Sequence, residues 1–306
     1  MQLKLKPRLV LALCICAGLA ACQSTPAHDA GVGAIGVLKE NPAQPEPLEI
    51  PLQTEIAIAR TTEMLSNAGI PNLERARLFY DRGVLYDSVG LHALARLDIT
   101  RALKLKPDLA DAYNFVGIHQ TLAGDFDQAY ESFDATLELN PDYQFAYLNR
   151  AIAFLYDGKT DLAISDFEAF QRFDPKDSYR ALWRYIGDHA KSPELAKQHL
   201  LASQAELSQS QWARHVVSFY LGQISEQQLI SKASSDVESP KQLAEQLCEL
   251  YFYLAKWHAM QRQPTQAADY FKLALSTNVY EFVEHRYARI ELQLLRMSVV
   301  DHHDAP

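Results

Sequence analysis

The stretch ADAYNFVGIHQTLAGDFDQAYESFDATLELNPDY, residues 110–143, decides the fold, because the chain writes its pattern three times. KLKPD at 104–108, ELNPD at 138–142 and RFDPK at 172–176 set Pro107, Pro141 and Pro175 at steps of 34 residues. Gly83, Gly117 and Ala151 keep the same step, and so do Gly90, Gly124 and Gly158. Ala95, Ala129 and Ala163 keep it as well, with the aromatic residues Phe79, Tyr113 and Tyr147. Chance does not hold so many columns in register over three copies.

Each copy predicts two helices. Ala129, Phe133 and Leu137 recur at helical spacing in the second half of the copy. The small residues at 83, 117 and 151 on the first helix, and at 95, 129 and 163 on the second, let two backbones approach. A large side chain at such a crossing overpacks it by roughly 1–3 kcal/mol. Gly90, Gly124 and Gly158 fall where the first helix stops and the chain turns. Each proline follows the second helix. Period and pattern resemble the tetratricopeptide repeat. The expectation is an all-α chain, a tetratricopeptide-repeat helical solenoid over 52–298, with repeats near 76–109, 110–143, 144–177 and 248–281.

The second half departs from the template. Tyr251, Leu254, Ala255, Ala267, Phe271 and Ala274 fit it, but Val279 stands where the closing proline should be. Residues 178–233 are helical in pattern, through Trp183, Ile186, Trp212, Val216, Phe219 and Tyr220, and lose the register, as degenerate helix pairs would. A lone helix with Ile56, Ile58, Ala59 and Leu65 is expected over 53–67, ahead of the array, and needs a cover such as a second subunit. SSDVESPK at 234–241 reads as a loop, a last helix runs near 281–297, and 299–306 form a polar tail.

At the start, Lys4, Lys6 and Arg8 precede the apolar run LVLALCICAGL, 9–19, and then Ala20 and Ala21. That order is a secretory signal, and the run is shorter than the ~20 residues of a membrane span. LAAC at 19–22 resembles the bacterial lipobox, which implies cleavage after residue 21 and acylation of Cys22. Each buried methylene adds roughly 0.8 kcal/mol, so several acyl chains make a permanent anchor. Gln23 is not the Asp that resembles an inner-membrane retention signal, so the expected address is the outer membrane, facing the periplasm. Residues 22–51 hold Pro26, Pro42, Pro45, Pro47 and Pro51 and show no sustained period, which predicts a flexible tether. The first 21 residues carry three bases and no acid, so their loss moves the net charge from -9 to -12. Such acidity argues against a nucleic-acid binder. With Cys14 and Cys16 in the signal and Cys22 acylated, Cys248 has no partner for a disulfide and is expected to be a small buried residue.

HExxH, GxSxG and a Walker loop do not occur in the sequence, and neither a cofactor nor a metal centre is expected. His302 and His303 belong to the polar tail, His285 reads as a structural contact, and Asp81, Asp87 and Asp98 read as solvated acids. The candidate binding surface is the concave one. Template positions 2, 5, 9 and 12 of each first helix face it in tetratricopeptide arrays. They are Arg77, Tyr80, Val84 and Asp87, then Asp111, Asn114, Ile118 and Thr121, then Phe145, Leu148, Ile152 and Leu155. The Lys, Arg and Asn clamp for acidic C-terminal peptides is missing from these positions. The third set is wholly apolar. It is either a docking groove for a partner segment or a stripe covered by the chain's own later helices or a second subunit.

Three longer stretches carry a narrower resemblance. RGVLYDSVGLHALARLD at 82–98, FYLGQISEQ at 219–227 and FVEHRYA at 282–288 resemble the NlpI family of enteric outer-membrane lipoproteins. The resemblance implies a non-catalytic, homodimeric adaptor. Such proteins bind a periplasmic tail-specific protease of the Prc type and murein endopeptidases, and promote degradation of the endopeptidase. Peptidoglycan hydrolysis in growth and cell division is thereby regulated. The alternative class is a pilotin-like or outer-membrane assembly lipoprotein.

Overall fold

The computed structural model describes residues 43–209, 211–235 and 237–301, with side chains to residue 296. The signal sequence, Cys22, the first part of the expected tether and His302 and His303 lie outside the described residues.

The 34-residue step builds three antiparallel helix pairs. They are α2 (Asn72–Ser88) with α3 (His92–Leu105), α4 (Ala110–Ala123) with α5 (Phe126–Leu139), and α6 (Gln144–Tyr156) with α7 (Thr160–Phe173). Helix α1 (Leu52–Ser66) precedes them and packs on α2. The off-register half is also paired: α8 (Ser178–Lys191) with α9 (Pro193–Ser203), α10 (Ala213–Tyr220) with α11 (Glu226–Ala233), and α12 (Pro240–Met260) with α13 (Pro264–Leu275). A long helix, α14 (Val283–Asp301), ends the described chain. These fourteen helices, with no strand among the described residues, make the chain an all-α tetratricopeptide-type solenoid.

Local chemistry explains both halves. A Cβ on Gly117 would lie 2.6 Å from the Phe133 ring, so this crossing between α4 and α5 excludes any side chain. The turn glycines Gly90, Gly124 and Gly158 hold φ of 78°, 76° and 74°, in the left-handed region. Where the period fails, caps take over. The Ser192 hydroxyl accepts from Leu195 N, and Ser239 does the same for Gln242 N ahead of Pro240. Ser225 and Gln228 form a reciprocal capping box at the start of α11. The main core lies toward this second half, around Phe167, Leu182, Tyr220, Phe252, Tyr253 and Phe271.

Three expectations are corrected. Asp87 and Asp98 are not solvated: they are 2% and 1% exposed. Asp98 accepts from Arg82 Nε at 2.6 Å and Nη2 at 3.0 Å, a forked pair inside the first repeat. Arg150 and Asp166 repeat it in the third copy at 2.7 and 2.9 Å. The middle copy has Val116 and Ser132 in those columns. Asp81 is exposed, as expected.

The second correction concerns the tether. Its residues 43–48 lie against the last helix pair. Leu48 N donates to Thr277 O at 3.0 Å, the Tyr251 hydroxyl donates to the Ala43 carbonyl, and Leu48 packs beside Ala244, buried Cys248 and Val279. The final pair of an array has no following repeat to cover it, and this segment covers part of its surface. Finally, α14 continues to Asp301, into the stretch expected to be tail.

Candidate functional site

The twelve groove residues do not form one open surface. At position 2 of the template, Arg77, Asp111 and Phe145 are exposed. Deeper in, Asp87, Asn114, Ile118, Thr121, Leu148 and Ile152 are buried, while Tyr80, Val84 and Leu155 are half-buried. The reason is α14. Its Arg286 Nη2 reaches Asp87 Oδ2 at 2.8 Å at the end of α2. Its Glu291 accepts from the Tyr156 hydroxyl at 2.9 Å at the end of α6, and from Lys256 Nζ at 2.5 Å. The Tyr156 and Tyr287 rings lie 6.0 Å apart. The C-terminal helix thus crosses the last turns of the first helices. Leu148 and Ile152 share one core with Trp183, Phe252 and Tyr287. A partner segment cannot lie on those two side chains; the chain's own later helices cover them.

Polar groups tie the same region. Asn149 Nδ2 donates to Asn114 Oδ1 at 3.1 Å, and the Tyr143 hydroxyl donates to Asp111 at 2.9 Å. Burial, with Asp111 and Asp81 nearby, pushes the Tyr80 hydroxyl up to about 12. Asp87 lies 2.9 Å from His92 Nδ1 and 3.2 Å from His119 Nε2. Burial would raise its carboxyl, but the two histidines and Arg286 outweigh that and hold it well below the usual range. His285 donates from Nε2 to Leu275 O at 3.0 Å, the structural contact expected, and burial brings it down to about 4.

The open part lies at the rim. Met64, Pro71, Leu73, Leu78, Tyr80 and Leu109 line a hollow of about 980 Å³ beside α1, together with Glu74, Arg77, Asp81 and Lys106. Leu73 is 64% and Met64 46% exposed, and no residue of α1 is buried. A reading confined to the groove columns misses Met64, Leu73 and Leu109. The exposed apolar face of a helix ahead of the array was the available signal.

Among the described residues no group of three or more His, Cys, Asp or Glu is placed to hold a metal ion. No described helix is long and apolar enough to cross a membrane. No protein-family model matches the chain. Among solved structures, a tetratricopeptide repeat protein from Parabacteroides merdae is 16% identical, covering 80% of this chain and 100% of its own, with a TM-score of 0.49. MamA is 17% identical over 52% of this chain and 96% of its own, with a TM-score of 0.45. PilF of Pseudomonas aeruginosa is 14% identical over 72% and 99%, with a TM-score of 0.42. These are likenesses in the arrangement of helices.

Proposed function

We propose that the chain is a non-catalytic scaffold that binds proteins at the rim beside α1. In this reading Cys22 is acylated and fixes it to the outer membrane, facing the periplasm. The scaffold holds a tail-specific, Prc-type protease and a murein endopeptidase together, so that the endopeptidase is degraded and peptidoglycan hydrolysis is held in check. The observation that carries the binding role is the hollow at the rim, where Leu73 of α2 faces solvent. Exposed apolar side chains at the mouth of a hollow with a polar border fit a protein contact. The named partners rest on the three stretches at 82–98, 219–227 and 282–288. Two of these stretches meet in space, through Asp87 and Arg286.

The mechanism is effective concentration. Two proteins held on one scaffold meet at up to the millimolar range for short links, and no scaffold residue touches the scissile bond. A homodimer through α1 doubles the docking sites.

The test mixes soluble protein lacking residues 1–22 with purified protease and endopeptidase and follows endopeptidase loss. The expected result is loss at least tenfold faster with the scaffold, and reversion to the basal rate with Leu73→Glu. Unchanged loss, with neither enzyme bound, overturns the reading and moves the assembly-lipoprotein class to the front.

A further inference from the structure

Helices α3, α4 and α14 and the segment before α14 enclose a second, open cavity of about 440 Å³. Its wall is basic in an acidic chain. Acids outnumber bases 38 to 29 in the sequence, yet no residue lining this cavity is acidic. Arg96 comes from α3, and Arg286 and Arg289 from α14; His92, His119 and His285 complete the wall. Among the described residues neither Arg96 nor Arg289 is held in an ion pair.

Two donors in this wall are left over. Arg286 binds Asp87 through Nη2, and its Nε is buried with no hydrogen bond among the described residues. His119 is 4% exposed; its Nε2 is within ion-pair distance of Asp87 but has no aligned hydrogen bond. Buried donors without acceptors are costly, and an incoming oxyanion would satisfy them. Apolar groups share this lining. Leu91 and Leu94 are exposed there, beside Leu122 and the Tyr280 ring.

We propose that this cavity is an anion site for a small ligand that carries phosphate or carboxylate oxyanions on a compact apolar body. The guanidinium forks of Arg96 and Arg289 match either oxyanion geometrically. Leu91, Leu94 and Tyr280 take the apolar body. Because the wall joins the first repeat to α14, the bound anion also bridges the two ends of the described array.

Proton linkage gives the site a signature. Burial lowers His119, against the pull of Asp87, and brings His285 down to about 4, with Arg289, His92 and Arg286 adding to the effect. The acid facing the histidines is Asp87 on α2, already shared with His92 and Arg286. An anion in the cavity favours the charged imidazoles, so binding takes up protons and tightens as the pH falls.

The test is calorimetry on the full chain in detergent, with phenyl phosphate, phthalate and inorganic pyrophosphate as probes, at pH 6.0 and 7.5. Single-site binding of phenyl phosphate or phthalate is expected, several-fold tighter at pH 6.0 and with proton uptake. Binding of the first alone identifies a phosphoryl ligand, and of the second alone a carboxylate. Arg96→Gln and Arg289→Gln, both at exposed side chains, should each weaken binding at least tenfold with the thermal midpoint in the absence of probe unchanged. No saturable binding of either aromatic probe overturns the site, as does binding that both variants leave intact. Pyrophosphate binding as tight as that of phenyl phosphate overturns the apolar half of the assignment.

Discussion

Arg262 holds φ at 57° in the turn between α12 and α13, five residues before Ala267. Gly90, Gly124 and Gly158 stand five residues before Ala95, Ala129 and Ala163, so arginine occupies the turn-glycine column. A non-glycine residue in this region costs roughly 1–2 kcal/mol, and glycine's own entropy takes back part of it. Arg262→Gly should therefore stabilise the fold by roughly 0.5–1 kcal/mol, seen as a higher urea midpoint at unchanged slope. The forked pairs give a second prediction. Asp98→Ala leaves the half-buried Arg82 without its carboxylate and should cost about 1–3 kcal/mol. Changing Arg82→Val together with Asp98→Ser, the residues of the middle copy, should cost far less in the same denaturation experiment. Equal losses would mean the pair is not the unit that matters. The 34-residue step already placed these arginines and aspartates in shared columns. A sequence reading misses the pairs because the middle copy, with Val116 and Ser132, interrupts the pattern.

At the scale of elements, the legible part was the part with a period. Turn glycines and crossing residues located α2 to α7, and residues 53–67 nearly coincide with α1. Helices α8 to α11 were legible as helices but not as a stack. Their starts depend on single caps such as Ser192 and Ser225, and their packing on aromatic side chains with no fixed spacing. The groove illustrates the limit. Helical periodicity says which side of α6 is apolar, but what covers Leu148 and Ile152 comes from far along the chain. The face of α1 stays uncovered within one chain, which supports a second copy as its partner. Removal of residues 52–66 should convert a dimer to a monomer in light scattering; a dimer that persists would place the interface elsewhere.

At the scale of the molecule, buried acids set the response to pH. Glu249 accepts from the Tyr179 hydroxyl at 2.7 Å and Glu284 from the Tyr253 hydroxyl at 3.0 Å. Burial raises both carboxyls, and for Glu249 the nearby Glu284 adds to it. The folded chain therefore keeps protons that the unfolded chain releases above about pH 4.5, so these groups lower stability as pH rises. The burial-lowered His119 and His285 act oppositely, lowering stability as pH falls below about 6.5. Above that pH the glutamates act without this opposition. The thermal midpoint should fall between pH 6.5 and 8.5, and Glu249→Gln should flatten the slope; an equal slope in the variant would exonerate the pair. Asp87 and Arg286, 199 residues apart, join the first repeat to the last helix, a closure that no local pattern announces. The contact of residues 43–48 with the last pair has a different consequence. If Cys22 carries the lipid, 21 residue-to-residue steps separate it from Ala43, the first attached residue, and no conformation of them spans more than about 75 Å. The attachment thus shortens the leash by the docked length. With Cys22 acylated, the attachment point itself would stay within that reach of the bilayer, and a partner would have to come to the scaffold there.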